Sequence, residues 1–188
     1  IFGNIDYLLA DNYKLTFGLR WENWNSKYKD SNNEAFDPSD NMNGGKISII
    51  KNNKNSNIYF SVARGYKQGG FNIGLDAADN LIKESLIYNP EFLTNYEVGI
   101  SSNINNSNLN YSATIFFSKR DDQQVLISRQ VNINDPNTFS YLIQNAAEGE
   151  NYGLEISSNY LVTDNLYLFA NVGILKSKIK NWESRIDL

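Results

Sequence analysis

Apolar and polar residues alternate along much of this chain with a period of two, which predicts β-strands. The clearest run is YKLTFGLRW, in which one face carries Tyr13, Leu15, Phe17, Leu19 and Trp21 and the other carries Lys14, Thr16, Gly18 and Arg20. Weaker or shorter alternation occurs at residues 1–9, 45–51, 57–63, 95–103, 109–117, 151–160 and 166–178. We therefore predict about eight strands.

The connections between these runs fall into two length classes. The short ones are residues 10–12, 52–57, 105–108 and 163–165, and the long ones are roughly residues 27–44, 67–92 and 120–148. The two classes alternate along the chain, so an antiparallel meander would put every short turn at one end and every long loop at the other. Outer-membrane barrels have this asymmetry, with short periplasmic turns and long extracellular loops.

The length of one run and the chemistry of the second face favour a membrane wall over a soluble sheet. Residues 13–28 would extend about 50 Å as a strand, whereas soluble strands usually have about 5–6 residues. The second face carries small and polar side chains, including Glu97 and Glu155, which would be costly against lipid tails. We predict an all-β fold, an antiparallel meander forming part of a transmembrane β-barrel wall, with Glu97 and Glu155 facing the lumen.

Composition removes several functional classes. Hydrophobic residues make up 41% of the 188 residues and mean hydropathy is -0.48, so the averages alone resemble those of a soluble protein. A net charge of -4 argues against nucleic acid as a partner. The chain has no Cys and no His, and it has no phosphate loop, nucleophile elbow or metal-binding cluster. We therefore expect no enzyme activity, no cofactor and no metal site.

The segment RGYKQGGFN, residues 64–72, follows the strand at residues 57–63. Tyr66 suits the membrane interface, Arg64 and Lys67 would reach the headgroup or loop region, and Gly69–Gly70 would let the backbone turn where a Cβ would clash. Two interpretations remain: the corner only anchors and bends the wall, or Tyr66, Lys67 and Phe71 contact a ligand.

Several blocks together resemble the C-terminal barrel of TonB-dependent outer-membrane receptors. They are RGYKQGGFN (64–72), NPE followed by NYEVG (89–99), LNYSATIFFSKRDDQQ (109–124), AEGENYGLE (147–155) and LYLFANVGI (166–174). The resemblance includes the opening IDYLLADNYKLTFGLRWE, so it covers nearly the whole chain. Each block alone is weak evidence, whereas all of them in this order form a specific signal.

The resemblance implies a barrel of about 22 strands closed around a plug in the outer membrane of a Gram-negative bacterium. It also implies uptake of a scarce nutrient, most often a ferric siderophore, driven by the TonB energy-transducing complex through the plug. We expect residues 1–188 to be one fragment of such a barrel, without the plug and the C-terminal strands. Near the long-loop ends, the candidate ligand-binding residues are Arg20, Glu22, Tyr66, Lys67, Phe71 and Arg120.

Other polar groups have simpler interpretations. Asp121 and Asp122, beside Lys119 and Arg120, suit a solvated rim. Residues 37–45 offer oxygen ligands without the spacing of a calcium loop, which favours a flexible turn. Residues 78–87 would allow a short helix. Glu97 and Glu155 would pair with a lumenal cation or with the plug, and Trp21 suits an interfacial belt.

Two alternatives belong to other functional classes. A complete eight-stranded outer-membrane barrel would act as a structural anchor or adhesin. A soluble β-sheet binding module would agree with the mean hydropathy, but it leaves the apolar face of long strands without a second sheet to cover it.

Overall fold

Eight long strands form one antiparallel sheet. A computed structural model describes residues 1–29, 35–73, 86–103, 108–130, 132 and 134–182. The sheet contains β1 (Phe2–Ala10), β2 (Tyr13–Asn25), β5 (Ser39–Asn53), β6 (Ser56–Lys67), β9 (Glu91–Asn103), β10 (Leu109–Gln130), β11 (Phe139–Thr163) and β12 (Leu166–Trp182). Each strand pairs with the next in chain order, which confirms the predicted meander.

Two short pairs lie within the long connections. β3 (Tyr28–Lys29) pairs with β4 (Ala35–Phe36), and β7 (Gly70–Phe71) pairs with β8 (Ile87–Tyr88). In the main sheet β1 and β12 are the two edges, and over the described residues they do not pair with each other. The alternative of eight strands closed into their own barrel therefore differs from the structure, which is an open sheet. Among the described residues no helix is long and apolar enough to cross a membrane.

The strand register arranges the apolar side chains into continuous rows across the sheet. Residues directly opposite each other on paired strands share a face. One such row consists of Tyr7, Leu15, Ile49, Phe60, Val98, Ile115, Leu154 and Ile174. Most of these large side chains remain exposed. The exposed fraction of Ile115, for example, is 64%. The sheet thus presents an apolar face that no other part of the described chain covers.

The opposite face is polar, as predicted. The row beside the one above consists of Asp6, Thr16, Ser48, Ser61, Glu97, Phe116, Gly153 and Leu175. Thr16 donates a hydrogen bond to Asp6 over 2.6 Å, and Asn95 donates one to Glu97 over 2.6 Å. Within the described part of the chain the partner of Glu97 is a neighbouring amide, and its pairing with a lumenal cation or with the plug stays a prediction. Glu155 lies on this same face, opposite Thr114.

Two of the three predicted long loops are shorter than expected, because strands extend beyond the alternating runs. β5 begins at Ser39, so the flexible turn predicted at residues 37–45 is wrong. β10 continues to Gln130 and β11 begins at Phe139, which shortens the loop predicted at 120–148. The buried face of these extensions carries single large apolar residues, Met42 and Leu142, among polar or small residues, so no run of alternating apolar residues marks them. The third connection agrees with prediction, since β6 ends at Lys67 and β9 begins at Glu91.

A bulge separates the two parts of β10. The register with β11 shifts between Arg120 and Gln123, and Asp122 has a φ of 53°, in the left-handed region that a non-glycine residue seldom adopts. The sequence KRDDQQ therefore interrupts the regular ladder without ending the strand. Most of the short helix predicted at 78–87 lies outside the described residues, and Ile87 belongs to β8.

The buried apolar side chains collect at the long-loop end. Phe36, Met42, Leu86 and Leu142 are each at most 5% exposed. Tyr28 packs against Phe36 with ring centroids 5.8 Å apart. The long connections therefore fold onto the sheet and onto each other at this end.

Candidate functional site

Three of the six predicted ligand-binding residues form one cluster at the long-loop end. Arg20 Nη2 donates to Glu22 Oε2 over 2.6 Å, and the Tyr66 hydroxyl donates to the same oxygen over 2.9 Å. The Arg20 guanidinium carbon lies 5.4 Å from the centre of the Tyr66 ring. Arg20 and Glu22 share a face because they are two residues apart on β2. Tyr66 reaches them from β6, with β5 lying between the two strands.

Gly44 on β5 is what allows Tyr66 to reach β2. A Cβ at Gly44 would lie 3.2 Å from Cε1 of Tyr66 and 2.7 Å from the backbone oxygen of Arg64. Without that Cβ, the Tyr66 ring can lie against β5 and place its hydroxyl at Glu22. Sequence reasoning did not single out Gly44, because the signal is a contact between strands that no local pattern records.

The cluster shifts the acidity of its members. The hydrogen bond from Arg20 is the main reason that the pKa of the Glu22 carboxyl lies below its ordinary value of 4.5, and the bond from Tyr66 adds to it. The same bond to Glu22 raises the pKa of Arg20. Loss of solvent contact, followed by the bond to Glu22, raises the pKa of Tyr66. The cluster is therefore a carboxylate held by a guanidinium and a neutral phenol.

Part of the Arg20 side chain remains available to a ligand. It is 63% exposed, while the Glu22 side chain is 38% exposed. A guanidinium has five N–H donors, so one bond to Glu22 leaves others free for a carboxylate, phenolate or hydroxamate oxygen. Chemically, the cluster can bind and orient an oxygen-rich anion.

Arg120 and Lys67 lie at a second position, around Glu91. Arg120 Nη1 is 3.3 Å from Glu91 Oε1, and the backbone N–H of Gln124 donates to Glu91 Oε2 over 2.8 Å. Lys67 is opposite Glu91 in the β6–β9 ladder. Glu91 is only 8% exposed. Its carboxylate therefore ties Arg120 and the start of the β10 extension to β9.

Phe71 lies in the small apolar layer of the loops. Its ring centroid is 5.1 Å from that of Tyr28, which in turn packs on Phe36. At Gly69, just before β7, a Cβ would lie 2.6 Å from the Tyr88 backbone oxygen. The predicted steric need for glycine at this corner is thus confirmed.

Two asparagines that sequence reasoning missed tie the long connections together. Asn72 Nδ2 donates to the backbone oxygen of Ile143 over 2.9 Å, and Asn72 Oδ1 accepts from the Ile143 N–H over 2.8 Å. Asn145 makes the same pair of bonds to Asn89, at 2.9 and 2.6 Å. Each side-chain amide thus acts like a strand partner. We call Asn72 and Asn145 the amide clamps.

A third amide and a rim ion pair complete this end. Gln124 Nε2 donates to the backbone oxygens of Gln68 and Asn89 over 2.8 and 3.0 Å. Lys119 and Asp121 form an ion pair of 2.6 Å with both side chains partly exposed, which agrees with the solvated rim predicted there. Over the described residues no group of three or more Asp or Glu side chains is arranged to hold a metal ion.

Comparison with known proteins decides the family. The family model described as "TonB dependent receptor-like, beta-barrel" matches residues 1–184. This chain belongs to the TonB-dependent receptor β-barrel family. The resemblance found in the sequence is therefore confirmed, and the family consists of transport receptors.

Individual relatives agree with that assignment. The probable TonB-dependent siderophore receptor PiuA of Acinetobacter baumannii is 26% identical over 190 residues, which covers 94% of this chain and 24% of the relative. The ferric yersiniabactin uptake receptor FyuA of Yersinia pestis has the same fold, with a TM-score of 0.69 at 17% identity over 95% of this chain and 26% of that one. The copper transporter OprC also has a TM-score of 0.69, at 16% identity over 95% of this chain and 29% of that one.

These matches cover only part of each relative, so they assign the fold and the family of this chain rather than the cargo of a whole receptor. This chain spans about a quarter of the curated relative that it matches. The two solved structures are only 17% and 16% identical to it, so they show that its β-sheet has the fold of part of a barrel wall, and they do not show which cargo passes through.

Proposed function

We propose that this chain is part of the outer-membrane wall of a receptor that takes up a ferric siderophore in a Gram-negative bacterium. The family match over residues 1–184 is the observation that carries the proposal. It is supported by the uncovered apolar face, which suits lipid, and by the longer connections, which all lie at one end of the sheet. The remainder of the barrel and a plug would complete the transporter.

In this proposal the two faces and the long-loop end have separate roles. The apolar face contacts membrane lipid. The polar face, with Asp6, Ser48, Ser61 and Glu97 in one row, contacts the plug, through which the TonB complex supplies energy. The long-loop end receives the ligand.

We assign the first ligand contact to Arg20, Glu22 and Tyr66. Arg20 supplies free N–H donors for the oxygen-rich surface of an anionic ferric chelate, and Glu22 and Tyr66 hold the guanidinium in place. Arg120, Lys67 and Phe71 contribute by fixing the shape of the opening, because Arg120 and Phe71 already have partners within the protein.

The proposed cargo is supported by the relative rather than by the fold. PiuA is named as a siderophore receptor, whereas OprC, with the same fold, is named as a copper transporter. One barrel architecture therefore serves more than one cargo. The sequence relative supports the siderophore.

Iron uptake tests the proposal. The gene for the full-length receptor is deleted, and uptake of radiolabelled iron is measured with a panel of ferric catecholate, hydroxamate and carboxylate chelates. We expect uptake of at least one chelate to fall in the deletion strain, to return with the wild-type gene, and to be absent without TonB. Unchanged uptake of every chelate under iron limitation would contradict the proposal.

A site variant separates the ligand contact from the transport function. Arg20→Gln removes the charge but keeps the polarity of the side chain. Lys27→Gln is the control, because it removes an exposed cation two residues beyond the end of β2. We expect Arg20→Gln to raise the chelate concentration needed for half-maximal uptake more than Lys27→Gln does. Equal values for both variants would contradict the assigned contact and leave the transport proposal intact.

A further inference from the structure

On the apolar face, the residues change from aromatic to charged between two neighbouring rows of the sheet. The row that contains Phe17 continues through Ile47, Val62, Tyr96, Phe117, Tyr152 and Lys176. The next row toward the long-loop end consists of Leu19, Gly45, Arg64, Thr94, Lys119, Glu150 and Lys178. Aromatic residues thus give way to charged residues between adjacent rows. This order is typical of the interface between hydrocarbon and headgroups.

A groove crosses this boundary on the apolar face. Its walls include Phe17, Leu19, Ile47 and Val62, and its volume is about 260 Å³. Gly45 also belongs to the lining of the groove, and a Cβ at this position would lie 2.5 Å from the backbone oxygen of Gly18. The volume is below the roughly 300–1,000 Å³ of pockets that enclose a whole small molecule. The groove therefore suits part of a larger apolar molecule that lies along the wall.

Arg64 stands at the charged end of the groove. It belongs to the groove lining, and its guanidinium carbon lies 4.4 Å from the centre of the Phe92 ring. Stacking on a ring fixes the plane of the guanidinium and leaves its N–H donors available. Within the described part of the chain Arg64 forms no ion pair, whereas Lys119, in the same row, pairs with Asp121 over 2.6 Å.

We propose that this groove is a binding site for a phosphate-bearing lipid of the membrane leaflet at the long-loop end. One acyl chain lies between Phe17, Ile47 and Val62, and the phosphate binds Arg64. The proposal rests on the membrane-wall function proposed above. It goes beyond general contact with lipid because an apolar groove meets, at the headgroup boundary, a cation that has no acidic partner among the described residues.

The test is a lipid titration of the full-length receptor in detergent, followed by native mass spectrometry. The probes are bis-phosphorylated lipid A and the same lipid without its phosphates. The variants are Arg64→Gln, the control Lys119→Gln from the same row, and Val62→Trp, which fills the groove. A basic residue near an anionic lipid surface contributes about 1 kcal/mol, so we expect Arg64→Gln to weaken binding of lipid A about fivefold.

The variants and probes give distinct outcomes. We expect Lys119→Gln to leave the affinity for lipid A within about twofold of the wild type, and Val62→Trp to weaken binding of both probes. Wild-type affinity in Arg64→Gln would overturn the proposal. Equal losses in Arg64→Gln and Lys119→Gln would overturn it too, because they would indicate general attraction to headgroups. If the receptor takes up no ferric chelate but the Arg64 effect is present, the proposed cargo fails and the lipid site stands.

Discussion

The apolar face of the sheet and its long-loop end are built from different interactions. On the apolar face, the side chains of a row need only be apolar and of suitable size, as in the row of Leu15, Ile49, Phe60 and Val98. At the long-loop end, single atoms matter, as in the 2.6 Å bond from Arg20 to Glu22. The face should therefore tolerate many substitutions of one chemical kind. The long-loop end should be sensitive to changes of one or two atoms.

A charge placed on the apolar face should have the largest effect. Ile115 lies on this face, in the same row as Leu15. In lipid vesicles, Ile115→Arg should lower the free energy of unfolding by about 2–4 kcal/mol, because the guanidinium would face hydrocarbon. Ser112→Arg on the polar face of the same strand is the control and should cost less. Urea titration of the full-length receptor measures both. Equal losses would contradict the assignment of the faces.

A single methyl group should disturb the Arg20–Glu22–Tyr66 cluster. In Gly44→Ala the new Cβ would stand 2.7 Å from the Arg64 oxygen and 3.2 Å from the Tyr66 ring, so β5, β6 or the ring must move. We expect a loss of about 1–3 kcal/mol in unfolding free energy, together with weaker chelate uptake. At Gly65 a Cβ would have no atom within 4 Å, so Gly65→Ala is the matched control. A larger effect at Gly65 would refute the role given to Gly44.

One amide clamp can be broken with little change of shape. In Asn145→Asp the carboxylate cannot donate to the backbone oxygens of Asn89 and Asp122, which Asn145 Nδ2 now reaches at 2.9 and 2.7 Å. The Asn89 oxygen keeps its bond from Gln124 Nε2, so the loss of the two Asn145 bonds should cost about 0.5–1.5 kcal/mol locally. Faster proteolysis between residues 121 and 148 is the expected result.

The control for the clamp is Asn110→Asp. Asn110 lies on β10 and is exposed, and the structure gives its side chain no hydrogen bond to any described residue. Its proteolysis should match that of the wild type. If Asn110→Asp and Asn145→Asp opened the β10–β11 hairpin equally, added charge would be the cause rather than the lost clamp.

Removing one hydroxyl should have a smaller effect. Tyr66→Phe deletes the donor that reaches Glu22 over 2.9 Å but keeps the ring beside Arg20. We expect less than about a tenfold rise in the chelate concentration for half-maximal uptake, with stability nearly unchanged. Tyr96→Phe, in the aromatic row of the apolar face, should leave uptake at the wild-type value. An effect of Tyr96→Phe equal to that of Tyr66→Phe would remove the cluster from the ligand path.

The smallest expected effect is a pH dependence. Because the pKa of Glu22 is lower in the folded protein, its contribution to stability is present above the ordinary value of 4.5 and is lost as the pH falls through the lowered value. The stability difference between wild type and Glu22→Gln should therefore be constant from pH 7 down to about pH 5 and shrink below that. A difference that instead shrinks between pH 7 and pH 5 would contradict the arrangement around Glu22.

The sequence predicted those parts of the fold in which apolar and polar residues alternate. The eight strands, their order and the shared end of the long connections all follow from the alternation in runs such as residues 13–21 and 57–63. The strand extensions at residues 39–44 and 121–130 could not be found in this way. Met42 is the one large apolar side chain on the buried face of the first extension, between Asp40 and Gly44, so its sequence resembles that of a loop.

The site was predictable only in part, because several of its contacts join residues that lie far apart in the sequence. Arg20 and Glu22 share a face by simple alternation, which a sequence shows. The contact from Tyr66 depends on Gly44, and the bonds between Asn72 and Ile143 join residues 71 positions apart. Asparagine is common in the turns of this chain, so nothing local marks Asn72 or Asn145 as a clamp.

The central claim is that these strands cross the outer membrane with the long connections outside, and cysteine labelling tests it directly. The chain has no native Cys, so single cysteines at Asn137, in the β10–β11 connection, and at Asn165, in a tight turn, would report on the two ends. The full-length receptor, with any other cysteines replaced, is treated in intact cells with a membrane-impermeant maleimide. We predict that Asn137→Cys is labelled and that Asn165→Cys is labelled only after the outer membrane is permeabilised. Labelling of both residues in intact cells, or of Asn165→Cys alone, would contradict the account.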